Sequence, residues 1–192
     1  MTCNLACEIC ASLRAAALEI IAEDGVEAIT TDRLADHAGI SRDEIRYHYS
    51  DASQCLYETY EEVSGSIHGD FIRSFAAVPG WRRGLIIGGR TLLERMAARP
   101  AEARLCFVEI LRGDHELLRR RDAARRRLVD LFVRELGRRL DDPEQYRMQL
   151  EMLIGAVFQA IATAVATGDM VALPALEPEI VSRAFVFATV PA

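Results

Sequence analysis

Three groups of side chains in this chain of 192 residues have the types and spacing for chemistry. The first lies in residues 30–49. There Thr31, Arg33, Ser41, Arg42, Asp43, Arg46, Tyr47 and His48 bring hydroxyls, guanidiniums, a carboxylate, a phenol and an imidazole into one short stretch. Such a set can hold phosphate oxygens and read base edges. The second group is Cys3, Cys7 and Cys10, spaced C-x3-C-x2-C, whose thiols suit a soft metal or a redox sensor. The third is a pair of arginine triplets, Arg119-Arg120-Arg121 and Arg125-Arg126-Arg127. These fit nucleic acid, an anionic ligand, or a solvated helix face paired with Glu116, Asp122 and Asp130. The four histidines are scattered, and no catalytic triad, HExxH or zinc-finger spacing occurs. No catalytic residue, bound metal or cofactor is therefore expected.

Residues 30–49 contain the devices needed to place the first group. Thr30 or Thr31 can cap a short helix, with Asp32 in its first turn. Leu34 and Ala38 share its inner face, and Ala35 is small enough for a second helix to cross over it. Gly39 can take the left-handed conformation that ends the helix, and Ile40 plugs the turn. Ser41 caps the next helix, with Glu44 three residues on as in a capping box. Ile45 points inward, leaving Arg42, Asp43, Arg46 and Tyr47 outward. This is a helix-turn-helix, the shape that lays a helix in a major groove of double-stranded DNA.

Helical spacing broken by Gly and Pro recurs along the whole chain, and no segment alternates like a strand. The fold class expected is all-α, with about nine helices. They fall near residues 8–24, 31–38, 42–48, 51–75, 81–98, 101–112, 115–140, 144–167 and 179–189. The boundaries suggested are a helix-turn-helix domain over 1–50 and an effector-binding and dimerisation domain over 51–192. The eighth helix is apolar nearly all round and must be covered on both sides. A second copy of the chain packed through helices 8 and 9 as a two-fold homodimer supplies that cover; a central core helix in a monomer is the alternative. Residues 152–168 carry no charge, at the short end of a membrane span. Flanking Glu151 and Asp169, with internal Gln159, Thr163 and Thr167, favour a buried helix and no membrane.

Charge is unevenly placed. Residues 1–62 hold 4 Arg against 13 Asp and Glu, whereas the chain as a whole has net charge −6. A DNA-reading part is ordinarily basic, so this acidity argues for weak, salt-sensitive binding. Five cysteines and no recognisable export signal suggest reduced thiols and a cytoplasmic location.

The N-terminal third resembles the tetracycline-repressor (TetR) family of bacterial transcriptional regulators. The matching pieces are Ala16-Ala17-Leu18-Glu19-Ile20-Ile21-Ala22-Glu23-Asp24-Gly25, Thr30-Thr31, Leu34-Ala35, Ala38-Gly39-Ile40-Ser41, Ile45 and Tyr47-His48-Tyr49. The resemblance implies a non-enzymatic homodimer with two DNA-reading heads and an effector cavity in each body. A small molecule in the cavity would move the fourth helix, respace the heads and release the operator. The resemblance also implies DNA-facing roles for Thr31, Ser41, Arg42, Tyr47 and His48. Two positions depart from the family: Arg46 stands where a Tyr is usual, and Ala52 where a phosphate-binding Lys is usual.

For the cavity, helices 5–8 offer Trp81, Met96, Cys106, Phe107, Glu109, Ile110, Met148, Met152, Phe158 and Gln159, a mostly apolar set with a few polar groups. Gly84, Gly88 and Gly89 can thin a cavity wall or seat a crossing helix. Gly65 and Gly69 can let the fourth helix bend. The cysteines can equally extend the first helix's apolar stripe through Ala17 and Ile20. Their spacing also resembles that of radical S-adenosylmethionine enzymes, but the parallel strands of such a barrel are missing from the pattern. Two other readings stand beside the ligand-responsive repressor. One is a TetR-shaped ligand- or partner-binding protein with weak or lost DNA binding; the other is a thiol-based redox- or metal-responsive regulator.

Overall fold

The computed structural model describes residues 7–136 and 142–178. Among them are eight α-helices, joined by short 3-10 turns and no strand. The helices are α1 (Glu8–Asp24), α2 (Thr31–Ala38), α3 (Arg42–His48), α4 (Ala52–Ala76), α5 (Trp81–Ala98), α6 (Pro100–Phe107), α7 (His115–Leu136) and α8 (Arg147–Thr167). The all-α expectation holds. The ninth helix, near 179–189, and Cys3 lie outside the described residues.

The head forms as its caps dictate. Thr30 accepts a hydrogen bond from the Arg33 amide at 3.2 Å, Ser41 from Glu44 at 3.2 Å, and Asp51 from Gln54 at 2.9 Å. Each cap satisfies one of the amide donors that a helix start leaves unpaired. Gly39 is left-handed at φ 65°, and its amide bonds back to Ala35. The next amide, of Ile40, also bonds to the Ala35 carbonyl at 3.1 Å. One core joins α1–α3 and the start of α4 through Leu13, Ala17, Ile20, Leu34, Ile45, Tyr49 and Cys55, all at most 1% exposed. The inward stripe of α1 also includes a charge. Arg14 donates to the Tyr49 hydroxyl at 3.3 Å and pairs with Glu62. Burial foremost drives the Tyr49 phenol far above its usual range, so it stays protonated.

A second core joins the end of α1 to α4, α5, α6 and α8 through Ile21, Leu56, Tyr60, Met96, Leu105, Ile110 and Ile161. α4 and α5 pack closely because two glycines allow it. A Cβ on Gly84 would lie 2.6 Å from the Phe75 carbonyl oxygen, and one on Gly88 would lie 2.9 Å from the Phe71 ring. Arg95 of α5 clamps three helices: it donates to Glu102 of α6 at 2.7 and 3.0 Å and pairs with Asp70 of α4.

Two helix boundaries differ from the sequence pattern. α6 ends at Phe107 instead of running to 112, and a 3-10 turn follows at Glu109–Leu111. The break at Val108 swings the Glu109 carboxylate inward, where Val26 donates its amide to it. α8 begins at Arg147, because Pro143 opens a separate 3-10 turn, Pro143–Tyr146.

Candidate functional site

On the head, the turn and α3 present Ser41, Arg42, Asp43, Arg46 and Tyr47 to solvent, Tyr47 being 75% exposed. Thr31 and Arg33 are half-buried on α2. The three arginines of this surface each meet a carboxylate. Arg33 lies 2.6 Å from Asp24, Arg42 2.7 Å from Asp32, and Arg46 3.2 Å from Asp43. The acids are thus among the DNA-facing candidates rather than behind them. Exposed pairs of this kind are worth about 0–1 kcal/mol, so a phosphate can displace the acid. The surface nevertheless carries little net positive charge. Ala52 is half-buried against the head core and adds no cation.

His48 departs from its sequence-based role. Its ring turns back from the outer face, with Nδ1 3.6 Å from Cys10 Sγ and 3.8 Å from Cys7 Sγ. The Tyr47 ring packs edge-on against it, with centroids 5.2 Å apart. The end of α3 is where the chain re-enters the core at Tyr49, which fixes the inward side of that last turn.

In the body, α4, α5, α6, α7 and α8 surround a cavity of about 420 Å3. Most of its wall is aliphatic and aromatic: Phe71 from α4, Leu92 from α5, Phe107 from α6, Phe132 from α7 and Val157 and Phe158 from α8. Phe107 and Phe158 meet edge-to-face at 5.1 Å. The polar part of the wall comes from Arg121, Arg125 and Arg127 of α7, with His68, Glu61, Ser64 and Glu135 nearby. Arg125 Nε is buried and has no hydrogen-bond partner among the described residues. His68 is held below the ordinary imidazole range, first by burial and then by the positive charges of Arg127 and Arg134. The three arginines share the lining with three carboxylates, Glu61, Glu135 and Glu177, so its positive character is local to the stretch of α7 around Arg125 and Arg127, beside His68.

Of the sequence-based cavity set, Cys106, Phe107 and Phe158 line this chamber. Met96 and Ile110 are instead fully buried core. Glu109 is a buried strut, 1% exposed, bonded to Val26 and Arg104. Met148, Met152 and Gln159 lie on the outer face of α8, the two methionines 68% and 59% exposed. The side chain of Trp81 lies outside the described part of the structure. Sequence reasoning missed the α4 wall, although Tyr60, Ser64, Ile67 and Phe71 repeat at helical spacing. The arginine triplets divide: Arg119 and Arg120 pair outside with Glu116 at 2.7 Å, while Arg121, Arg125 and Arg127 line the cavity. The glycines divide likewise, with Gly84 and Gly88 seating α4 and Gly89 lining the chamber.

The described residues thus form a helix-turn-helix head on a helical body that encloses an apolar, arginine-edged chamber. Residues 13–57 match the family described as bacterial regulatory proteins, tetR family. Over residues 13–57 the head is thus similar to the N-terminal segment of the TetR family. Its fold is similar to that of FadR, a fatty acid degradation regulator from Bacillus halodurans, at TM-score 0.81 and 16% identity, covering 98% of this chain and 99% of that one. FadR from Bacillus subtilis, solved in complex with stearoyl-CoA, has TM-score 0.74 and 16% identity over 90% of this chain and 95% of its own. A TetR family transcription regulator from Marinobacter aquaeolei VT8 has TM-score 0.58 and 20% identity, over 82% and 92% of the respective chains. A search of curated proteins found no match.

Proposed function

We propose that this protein is a ligand-responsive transcriptional repressor, released from its operator by an anionic long-chain acyl compound of the acyl-CoA class. The observation that carries the reading is the two-part chamber. Its aromatic and aliphatic walls suit a hydrocarbon tail, and the buried, unpartnered Nε of Arg125 suits an anionic head. The fold shared with a FadR solved with stearoyl-CoA supports the ligand class.

In this reading residues 1–50 read operator DNA through Thr31, Arg33, Ser41, Arg42, Asp43, Arg46 and Tyr47. Residues 51–192 bind the effector and dimerise. The uncovered face of α8, with Met148 and Met152, packs on the same face of a second chain. The stretch Glu144–Thr167 is long and apolar enough to cross a membrane, and only 17% of its most apolar window is buried within one chain. Dimerisation covers that face in a soluble, cytoplasmic protein.

The test is fluorescence anisotropy on the DNA upstream of the chain's own gene, with and without stearoyl-CoA, stearate or CoA. A specific complex dissociated by stearoyl-CoA, and not by CoA, is expected. A complex indifferent to all three overturns the ligand assignment. A second reading rests on the carboxylates beside Arg33, Arg42 and Arg46: a TetR-shaped ligand-binding protein whose acidic head no longer grips DNA. The same titration run at several salt concentrations separates the two, since the second reading forms no specific complex even at low salt.

A further inference from the structure

The N-terminal end of α1 and the last turn of α3 converge on three metal-ligating atoms. Cys7 is the N-cap of α1, and Cys10 is the third residue inside it. These are the two positions whose side chains face each other in a capping box, so both sulfurs meet at the open end of the helix. His48, 38 residues beyond Cys10, brings Nδ1 to 3.6 Å from Cys10 Sγ and 3.8 Å from Cys7 Sγ. The three ligand atoms all lie within 4.8 Å of one another. A tetrahedral zinc ion with Zn–S of about 2.3 Å and Zn–N of about 2.0–2.1 Å has an S···N edge of about 3.6 Å. The observed separations are therefore those of a coordination polyhedron, with both cysteine–histidine edges already in place.

We propose that Cys7, Cys10 and His48 form a Cys2His site for a thiophilic divalent cation of the zinc class, joining the first turn of α1 to the last turn of α3. Binding displaces the two thiol protons to solvent and uses the neutral imidazole through Nδ1. The N-terminus of α1 favours the resulting thiolates. Three protein ligands leave a fourth position for water or an exogenous donor. The cation cross-links the α3 recognition helix to the helix beneath it and holds His48 on the inner side. It therefore stabilises the folded head in proportion to its occupancy.

The experiment is an anaerobic titration of the reduced full-length chain with Co2+, followed by Zn2+. Saturation at one cobalt per chain is expected, with thiolate-to-cobalt charge-transfer bands and tetrahedral d–d bands that Zn2+ bleaches. Cys7→Ser and His48→Gln each weaken cobalt binding by more than about tenfold, the least that loss of even an outer-shell partner costs. Both change half-buried positions, and unchanged circular dichroism of the metal-free variants keeps a loss of binding distinct from unfolding. Zn2+ raises the melting temperature of the parent chain and leaves that of His48→Gln unmoved. Absence of the charge-transfer band, or bands that persist at full strength in both variants, overturns the site.

Discussion

Glu109 ties the end of α1 to the turn that follows α6. Its carboxylate is 1% exposed and spans the two parts. Oε2 accepts the Val26 amide at 3.2 Å, just after α1, and Oε1 accepts Arg104 Nε at 3.2 Å. Arg104 itself donates to the Ala22 carbonyl at 2.7 Å. Glu109→Ala strands the buried Val26 amide, which costs about 1–3 kcal/mol. The Arg104 guanidinium is about one-third exposed and keeps Ala22, so loss of its ion pair adds at most about 1 kcal/mol. The expected total is about 2–4 kcal/mol, or a melting temperature lower by roughly 5–15 °C at this chain length. Glu109→Gln retains an oxygen for Val26 and loses only the charge, so it costs about 1 kcal/mol. Thermal melts by circular dichroism at matched protein concentration read both values. A Glu109→Gln melt as low as that of Glu109→Ala, or a Glu109→Ala melt within about 2 °C of the parent, refutes the assignment of the energy to the Val26 bond.

Three other outcomes are expected. Binding of an anion beside His68 raises its pKa, so binding takes up a proton. Affinity for the acyl ligand then rises as pH falls below about 6.5, and His68→Gln flattens that slope in isothermal titration. In the unliganded protein the depressed His68 pKa works the other way: its contribution to stability is present above about pH 6.5 and is lost as pH drops through the folded value. Asp32→Asn combined with Asp43→Asn releases Arg42 and Arg46. Operator binding tightens, and the log–log salt slope steepens by about 0.9 for each further phosphate that an arginine neutralises; an unchanged slope shows that the carboxylates do not compete with DNA. Gly65→Ala stabilises α4 by about 1 kcal/mol in thermal melts, and Gly69→Ala by less, since its added methyl lies 3.2 Å from the Arg73 guanidinium. The double variant also blunts release of DNA by ligand in the anisotropy assay, and an undiminished response refutes a hinge there.

The head could be read from the sequence because its signals are local. Thr30, Gly39 and Ser41 each act on atoms within four residues, and the structure places each where its chemistry requires. The cavity was only partly readable because it is made by contact between distant helices. Cys106, Phe107 and Phe158 line it, but Met96 and Ile110 have the same apolar character and are core instead. Nothing local distinguishes a wall residue from a core residue on one helix face. Glu109 misled for a related reason. A lone carboxylate in an apolar run resembles a ligand contact until its partners, Val26 at 83 residues' separation and Arg104, are known. The DNA-facing role of His48 came from the family resemblance, which carries no information on the cysteines of α1 that its ring meets 38 and 41 residues away.

The packing also limits how a ligand can reach the DNA face. α4 is one continuous helix from Ala52 to Ala76, so its two ends are mechanically joined. Its start is held in the head by Cys55, buried in the α1–α3 core. Its end is held against α5, where Gly84 and Gly88 leave no room for even a methyl group beside Phe75 and Phe71. Gly65 lies between these anchors, lines the chamber, and has open space where a side chain would go. In the proposed ligand-responsive regulator, filling the chamber would displace the middle of α4 beside Gly65 and tilt its first turns with the head attached. The Glu109–Val26 bond and the Arg104–Ala22 bond oppose that tilt, since they tie the end of α1 to the α6 side of the same chamber. Weakening these ties lowers the work a ligand must do against them, whereas stiffening α4 at Gly65 raises it. Glu109→Ala and Gly65→Ala should thus shift the ligand concentration for half-release of DNA in opposite directions, even though one variant destabilises the fold and the other stabilises it.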